Sequence, residues 1–152
     1  MTSRQLLLFL LILCSLALGQ SNHTPQGVKT AKTVFIDNET GDSSVLDSAH
    51  IALASSDLRW RDDRNTADLI FHFERNAEPA DRSEKGNEIH ISIKNTYTLE
   101  VTDENGTIIW KNAVDLDLSN ARTENTERSW IEYLHRHPAA ILVNLFLKSR
   151  SK

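Results

Sequence analysis

The stretch NEIHISIKNTYTLEVTDENGTIIWKNAVDLDL, residues 87–118, decides the fold, because apolar and polar residues alternate along it almost without a break. Successive side chains of a β-strand point to opposite faces, so this alternation predicts strands with one buried face and one wet face. Asn105-Gly106 divides the stretch and is a strong signal for a tight hairpin turn. The sequence therefore predicts a long two-stranded ribbon in an antiparallel sheet.

Shorter elements are predicted upstream of this ribbon. Runs rich in β-branched and aromatic residues predict three strands, at 32–36, 58–61 and 67–75. Between the first two, apolar residues recur with the spacing of an amphipathic helix from Ser44 to about Ser56. Residues 76–87 contain Pro79, Gly86 and five charged side chains, and this composition predicts a mobile loop.

The C-terminal region, residues 124–148, has a helical pattern that is interrupted by Pro138. Proline is unfavourable inside a helix and favourable at its first position, so a kink or break is expected at His137-Pro138. Trp110 and Trp130 fall on predicted inward faces. The predicted fold class is α+β, a mostly antiparallel sheet with two helices packed on one face, in the order β-α-β-β-β-β-α.

The first 19 residues have the pattern of a signal peptide: Arg4, an apolar run, and Ala17-Leu18-Gly19 as a small-x-small cleavage site. The run is shorter than a membrane-spanning helix requires, so no transmembrane anchor is expected in the mature chain. We therefore expect an exported protein, either periplasmic or secreted. The rest of the chain is expected to form a flexible N-terminal segment (20–31), a single α/β domain (32–148) and a basic tail (149–152).

Composition excludes several classes of function. Cys14 is the only cysteine and lies within the signal peptide, so the mature chain is expected to have neither disulfides nor a thiol nucleophile. Without the signal peptide the chain has 16 basic and 21 acidic residues, a balance that argues against nucleic-acid binding. Motifs for a serine nucleophile, a phosphate loop, a dinucleotide turn or a zinc protease are missing. The sequence predicts no enzymatic activity and no cofactor.

Histidines and glutamates provide a candidate metal site. If a hairpin centred on Asp81 pairs residues 67–75 with 88–96, His72 lies opposite His90, and Glu74 lies opposite Glu88. Two imidazoles and two carboxylates on one wet face are suitable ligands for zinc. The simpler interpretation is a solvated sheet face with ordinary cross-strand polar pairs.

A second candidate site is a contact surface for a partner at Arg59, Trp60 and Arg61, where an aromatic side chain lies between two cations. The alternation of these arginines with nearby aspartates is also typical of a self-compensating surface.

Three segments, KTVFIDNETGD, DLRWRDDRNTADLIFHF and TYTLEVTDENGTIIW, together resemble the small exported α/β domains of bacterial envelope proteins. This group includes many domains of unknown function, and is similar to the periplasmic domains of curli-secretion and penicillin-binding-protein-activator lipoproteins. The chain departs from those lipoproteins because it lacks a good lipid-attachment cysteine. The resemblance implies an accessory or assembly role in the cell envelope and assigns no functional residue.

Two hypotheses of function follow from these patterns. The first is a non-enzymatic envelope protein that binds an unknown protein partner, with the ribbon as a structural platform whose wet face or free edge is available. The alternative is a periplasmic metal-binding or small-ligand-binding protein that uses His72 and His90.

Overall fold

A computed structural model describes residues 26–85, 88–116 and 127–152. Within these residues a five-stranded sheet has the order β2-β1-β3-β4-β5 and helices pack on it, so the predicted α+β class is confirmed. The elements, in chain order, are α1 (Gln26–Thr30), β1 (Thr33–Asn38), α2 (Ser44–Leu53), β2 (Arg59–Trp60), a 3-10 turn (Arg64–Thr66), β3 (Leu69–Lys85), β4 (Glu88–Asp103), β5 (Ile108–Leu116), α3 (Glu127–Arg136) and α4 (Pro138–Arg150).

The sheet is mixed. β1 runs parallel to β2 and to β3, whereas the long strands β3, β4 and β5 pair antiparallel. The parallel register places Asp37 beside His72, and the antiparallel register places His72 opposite Glu100. These pairings determine which polar side chains meet on the outer face of the sheet.

The core lies between one face of the sheet and the helices. Alternate residues of β3 and β4 are almost fully buried, as their apolar and polar alternation predicts: Leu69, Phe71, Phe73, Tyr97, Leu99 and Val101. α2 and α4 pack against each other and cover this face. Burying each large apolar side chain stabilises the fold by roughly 1.5–3 kcal/mol.

The predicted break at Pro138 is confirmed. α3 ends at Arg136 and α4 begins at Pro138, with His137 in an extended conformation between them. The His137 Nδ1 atom accepts a hydrogen bond from the Ala139 N–H (3.2 Å) and so caps α4. Proline at the first helical position forfeits no hydrogen bond, because that N–H has no partner within a helix.

The prediction of a mobile loop at 76–87 is wrong for the described part of that segment, because β3 continues to Lys85 and β4 starts at Glu88. Residues 76–80 and 92–94 of this ribbon are exposed, so polar and charged residues are compatible with it there. Pro79 is compatible with it as well, since proline is tolerated where its nitrogen faces an unpaired strand edge.

Two predictions about the ends of the domain also need correction. The segment 20–31 was expected to be flexible, yet α1 starts at Gln26, and Val28 and Ala31 belong to the buried core. The tail 149–152 was expected to be solvated, yet Arg150 is buried and donates to the Val28 and Ala31 carbonyl oxygens. The predicted signal peptide and residues 20–25 lie outside the described residues.

Candidate functional site

The outer face of the sheet, opposite the helices, brings His72 together with three carboxylates. His72 Nδ1 lies 3.3 Å from Asp37 Oδ2, and Nε2 lies 3.2 Å from Glu74 Oε1. Glu39 Oε2 lies 4.0 Å from Nε2. We call Asp37, Glu39, His72 and Glu74 the outer cluster.

Strand geometry explains why the outer cluster forms. Asp37 and His72 are partners in the parallel β1–β3 register, and Glu74 lies two residues farther along β3 on the same face. Glu39 follows the end of β1, where its N–H donates to the Phe73 carbonyl oxygen (3.0 Å) and so prolongs the pairing. Residues far apart in sequence therefore meet at the place where β1 ends.

The electrostatics of the outer cluster favour positive charge. Partial burial by itself lowers the pKa of His72, but the hydrogen bonds to Glu74 and Asp37 and the charges of Asp37 and Glu39 outweigh it, so this pKa is raised. Arg64 Nη1 also approaches Asp37 Oδ2 (3.4 Å). The surrounding carboxylates therefore stabilise a positive charge on the imidazole.

The predicted set of His72, His90, Glu74 and Glu88 does not assemble. The register that it assumed is wrong: Glu100 lies opposite His72, Thr98 lies opposite Glu74, and His90 pairs with Ser83. Glu88 pairs with Lys85, near the far end of the hairpin. Ser83 lies eleven positions after His72 along β3, about 36 Å at 3.3 Å per residue. Only His72 and Glu74 of the four meet, and their partners come from β1.

Other polar side chains of the outer face form cross-strand ion pairs. Lys111 of β5 contacts Glu100 of β4, and Lys94 Nζ lies 2.8 Å from Asp115 Oδ2. Asp115 Oδ1 also accepts a hydrogen bond from the Thr96 hydroxyl (2.7 Å). Such exposed pairs contribute little stability because water screens them, and they support the interpretation of this face as solvated.

A second network, at the core side of the sheet, escaped the sequence analysis. The Tyr97 hydroxyl donates to Asp42 Oδ2 (2.6 Å), and His137 Nε2 lies 3.1 Å from the same oxygen. Because His137 Nδ1 accepts from the Ala139 N–H, its Nε2 carries the proton of a neutral imidazole. The network ties the segment after β1 to β4 and to the start of α4. A histidine directly before a helix-starting proline was the one local signal for it.

Burial and mutual hydrogen bonding shift the pKa values in this network. Burial raises the pKa of Tyr97, and Asp42 raises it further, to about 12. Burial alone would raise the pKa of Asp42, but hydrogen bonds from Tyr97, Ser44 and His137 lower it overall. Burial lowers the pKa of His137, and the interaction with Asp42 offsets only part of this effect. The three side chains thus supply one another with hydrogen-bond partners.

The predicted contact residues Arg59, Trp60 and Arg61 all lie exposed at β2, the edge strand next to β1. The Trp60 ring is half-exposed and packs edge-on against His50, with 4.7 Å between ring centroids. A contact with a partner at these residues stays a prediction. Trp110 packs against Phe146 at the core, as expected, whereas the expectation of an inward Trp130 is wrong, since this ring is half-exposed on α3 and stacks on Tyr133.

The β3–β4 hairpin extends beyond the rest of the sheet. The last β3 partner of β1 is Phe73, and the last β4 partner of β5 is Asn95. We call residues 77–85 and 88–94 the arm, and within the described residues these two segments pair only with each other. Nine strand residues correspond to a projection of about 30 Å.

No family model matches the chain, and no curated protein sequence matches it significantly. Among solved structures, the chain is similar to a minor lipoprotein from Acinetobacter baumannii, with 15% identity and a TM-score of 0.43 over 80% of this chain and 92% of that one. It is also similar to uncharacterized lipoprotein B from Nitrosomonas europaea, with 14% identity and a TM-score of 0.39 over 86% and 85% of the two chains. A PelC dodecamer from Paraburkholderia phytofirmans has 15% identity and a TM-score of 0.41 over 79% and 86%.

The predicted resemblance to bacterial lipoprotein domains is thus confirmed as a similarity. At TM-scores below 0.5 these similarities carry no argument about what the chain binds. Among the described residues, no helix combines the length and the apolar character needed to cross a membrane.

Proposed function

We propose that this chain is an exported, non-enzymatic accessory protein of the cell envelope, and that its arm binds another protein. One observation carries the proposal: beyond the charged Arg75, apolar side chains recur on the arm, on the face of the sheet that the helices cover elsewhere. Ala77, Pro79 and Ile93 lie on the same side of the strands as the buried Phe73 and Leu99, and all three are exposed. We call Ala77, Pro79 and Ile93 the arm patch.

Energetics favour a partner at the arm patch. Ile93 is 62% exposed, although it pairs with Pro79 on the face that is buried elsewhere in the sheet. A two-stranded ribbon with neither a third strand nor a covered face is at best marginally stable in water. Burying the Ile93 side chain under a partner would stabilise the complex by at most roughly 1.5–3 kcal/mol.

The backbone of the arm indicates that the partner docks on this face and does not add a strand to the β3 edge. The Phe73 carbonyl oxygen accepts from the Glu39 N–H and so faces the β1 side of β3. Alternate residues of a strand face the same edge, so the backbone groups of Pro79 face this side as well. Pro79 has no N–H to offer there, and the register shifts between Pro79 and Asp81. Proline and bulges at an edge disfavour pairing with another strand, including the same strand of a second copy.

The absence of catalysis is part of the proposal. The histidine with the most buried titratable partners among the described residues is His137, which is only 1% exposed and interacts with Asp42 and Tyr97. A substrate cannot reach an imidazole that is buried and whose two nitrogens are both hydrogen-bonded. This network is suited to holding α4 against the sheet.

Site-specific photo-crosslinking in the native envelope tests the proposal. A photo-reactive amino acid at Ile93 should give one adduct with a different protein, whereas the same amino acid at Ile141, an exposed isoleucine of α4, should not. The identified partner, once purified, should bind the Ile93→Asp variant about 10-fold to 100-fold more weakly than wild type, which corresponds to the lost burial. The Ile141→Asp variant should bind normally.

Three outcomes would overturn the proposal. The first is an equal adduct pattern at both positions, and the second is the lack of any adduct at Ile93. The third is an adduct with twice the mass of this chain, because that result identifies a second copy as the occupant of the arm patch.

A further inference from the structure

The outer cluster has the composition and spacing of a metal site. One potential ligand atom from each of Asp37, Glu39 and His72 lies within 4.8 Å of the others. The donors are one imidazole and two carboxylates, so this is a mixed set and not merely an acidic patch. Glu74 supplies a third carboxylate at the Nε2 atom of the imidazole ring, whereas Asp37 lies at the Nδ1 atom.

We propose that Asp37, Glu39 and His72 bind a divalent transition cation, and that Glu74 acts as the positioning residue for the imidazole. Zinc ligands lie at about 2.0–2.2 Å from the metal, which places neighbouring ligands roughly 3.4 Å apart in a tetrahedral site. His72 Nδ1 and Asp37 Oδ2 are already 3.3 Å apart. Two of the three ligands are thus preformed by the backbone register of β1 and β3.

Glu39 completes the set by a side-chain movement alone. Its Oε2 lies 4.0 Å from His72 Nε2, the nitrogen that also faces Glu74, and its side chain is 65% exposed and so has room to rotate toward the Nδ1 side. The Glu39 N–H is fixed to the Phe73 carbonyl oxygen, so the backbone already presents this carboxylate at the end of β1. Binding a cation on the Nδ1 side therefore requires the Glu39 carboxylate to rotate about its own side-chain bonds, at the cost of the rotamer entropy that an ordered glutamate loses.

Glu74 has the geometry of an outer partner of a metal-bound histidine. When a cation takes the Nδ1 side of the ring next to Asp37, the Nε2–H donates to Glu74 Oε1 across 3.2 Å. A carboxylate in this position fixes the tautomer and the ring orientation and raises the basicity of the ligand. Losing such a partner typically lowers metal affinity by about 10-fold to 100-fold.

The donor set indicates the class of cation. Imidazole together with carboxylates suits zinc and related transition ions, whereas oxygen-only sites suit magnesium and calcium. Arg64 is the nearby competitor, because its Nη1 lies 3.4 Å from Asp37 Oδ2. Both side chains of this pair are partly exposed, so their attraction is screened by water and yields to a divalent ion.

This inference goes beyond the proposed function and does not depend on it, because the outer cluster and the arm patch lie on opposite faces of the sheet. Isothermal titration with Zn²⁺ tests it, using exported protein purified without an affinity tag and stripped with a chelator. We expect one equivalent to bind. His72→Ala, Asp37→Asn and Glu39→Gln should each weaken binding by about tenfold or more, by analogy with the loss of an outer partner.

The matched control is His135→Ala, which removes an exposed histidine of α3 and should leave zinc affinity unchanged. Glu74→Gln should weaken zinc binding while leaving the melting temperature of the metal-free protein unchanged, which separates positioning from folding. In ¹⁵N spectra of labelled histidine, zinc should shift the ring signals of His72 specifically. If His72→Ala fails to fold, Glu39→Gln carries the same test, because Glu39 is largely exposed.

Two results would overturn the inference. One is the lack of stoichiometric zinc binding by the wild-type protein. The other is an equal loss of affinity in His72→Ala and His135→Ala, which would identify the binding as non-specific contact with surface histidines.

Discussion

Arg150 provides the sharpest test of how the two ends of the domain are joined. This residue ends α4, and it is only 8% exposed. Its Nε donates to the Val28 carbonyl oxygen (2.7 Å), one terminal nitrogen donates to the Ala31 carbonyl oxygen, and the guanidinium also contacts Asp57. Replacing Arg150 by alanine should therefore release α1 and the segment that follows α2 from α4 together.

The expected loss of stability depends on which hydrogen bonds of Arg150 are buried. A hydrogen bond to a charged group contributes roughly 1.5–3 kcal/mol, and a buried carbonyl without its donor retains its desolvation cost. The Asp57 contact adds little, because this carboxylate is 53% exposed and water screens the pair. We expect Arg150→Ala to lower the free energy of unfolding by about 3 kcal/mol, a large share of the 5–15 kcal/mol that is typical for a domain.

Lysine is the informative conservative substitution. An ammonium group cannot reproduce the fork with which one guanidinium donates to several acceptors at once. Arg150→Lys should therefore recover at most about half of the loss, since one donor replaces several. Lys148→Ala supplies the control, because Lys148 is a neighbouring cation on the exposed side of the same helix. This change should alter stability by less than about 0.5 kcal/mol.

Equilibrium unfolding in urea, followed by tryptophan fluorescence and by circular dichroism, measures these differences at constant m-value. The reasoning is refuted if Arg150→Ala changes the unfolding free energy no more than Lys148→Ala does. The C-terminal residues would then be the solvated basic tail that their composition suggests.

Three further predictions concern the core, the arm and acid stability. Phe73→Ala should destabilise the domain by about 3–5 kcal/mol in urea unfolding, because Phe73 is fully buried, whereas Ile93→Ala should change stability by less than about 0.5 kcal/mol. Replacing residues 78–94 by an Asn-Gly turn between the paired Ala77 and Asn95 should leave a cooperative transition, and loss of that transition would show that the arm is needed for folding. The folded-state pKa of His137 is lowered, so protonation of this residue opposes folding. Wild type should therefore lose more stability than His137→Asn as the pH falls from 7 through 6.5 to 5, and equal losses would contradict this. The raised pKa of His72 acts in the opposite sense but is present in both proteins.

The core could be predicted from the sequence because periodicity is a local property. The alternation in β3 and β4 identifies Phe71, Phe73 and Leu99 as inward residues, whatever the strands pair with. Pro138 likewise marks the helix break through its own covalent structure. Neither conclusion requires knowledge of which segments are neighbours.

The alternation of apolar and polar residues, by contrast, does not determine the register in which two strands pair. A shift by an even number of residues keeps every apolar side chain on the same face, so pairing His72 with His90 satisfied the pattern as well as the actual partner Glu100 does. The dipeptide Gly86-Asn87, which lies between β3 and β4, was a turn signal that composition alone obscured. Placing the turn there would have separated His72 from His90.

The outer cluster was unpredictable for a different reason. Asp37 and His72 meet through a parallel pair joined by a crossover that contains α2 and β2. The local pattern of residues does not indicate which strand β1 joins. Substitutions can separate the two proposals, because the outer cluster and the arm patch lie on opposite faces of the sheet. His72→Ala changes the outer face and Ile93→Asp changes the helix side of the arm, so their effects on zinc affinity and on crosslinking should be independent. A double variant should then show each loss unchanged, since additivity is expected for distant sites that share no contact.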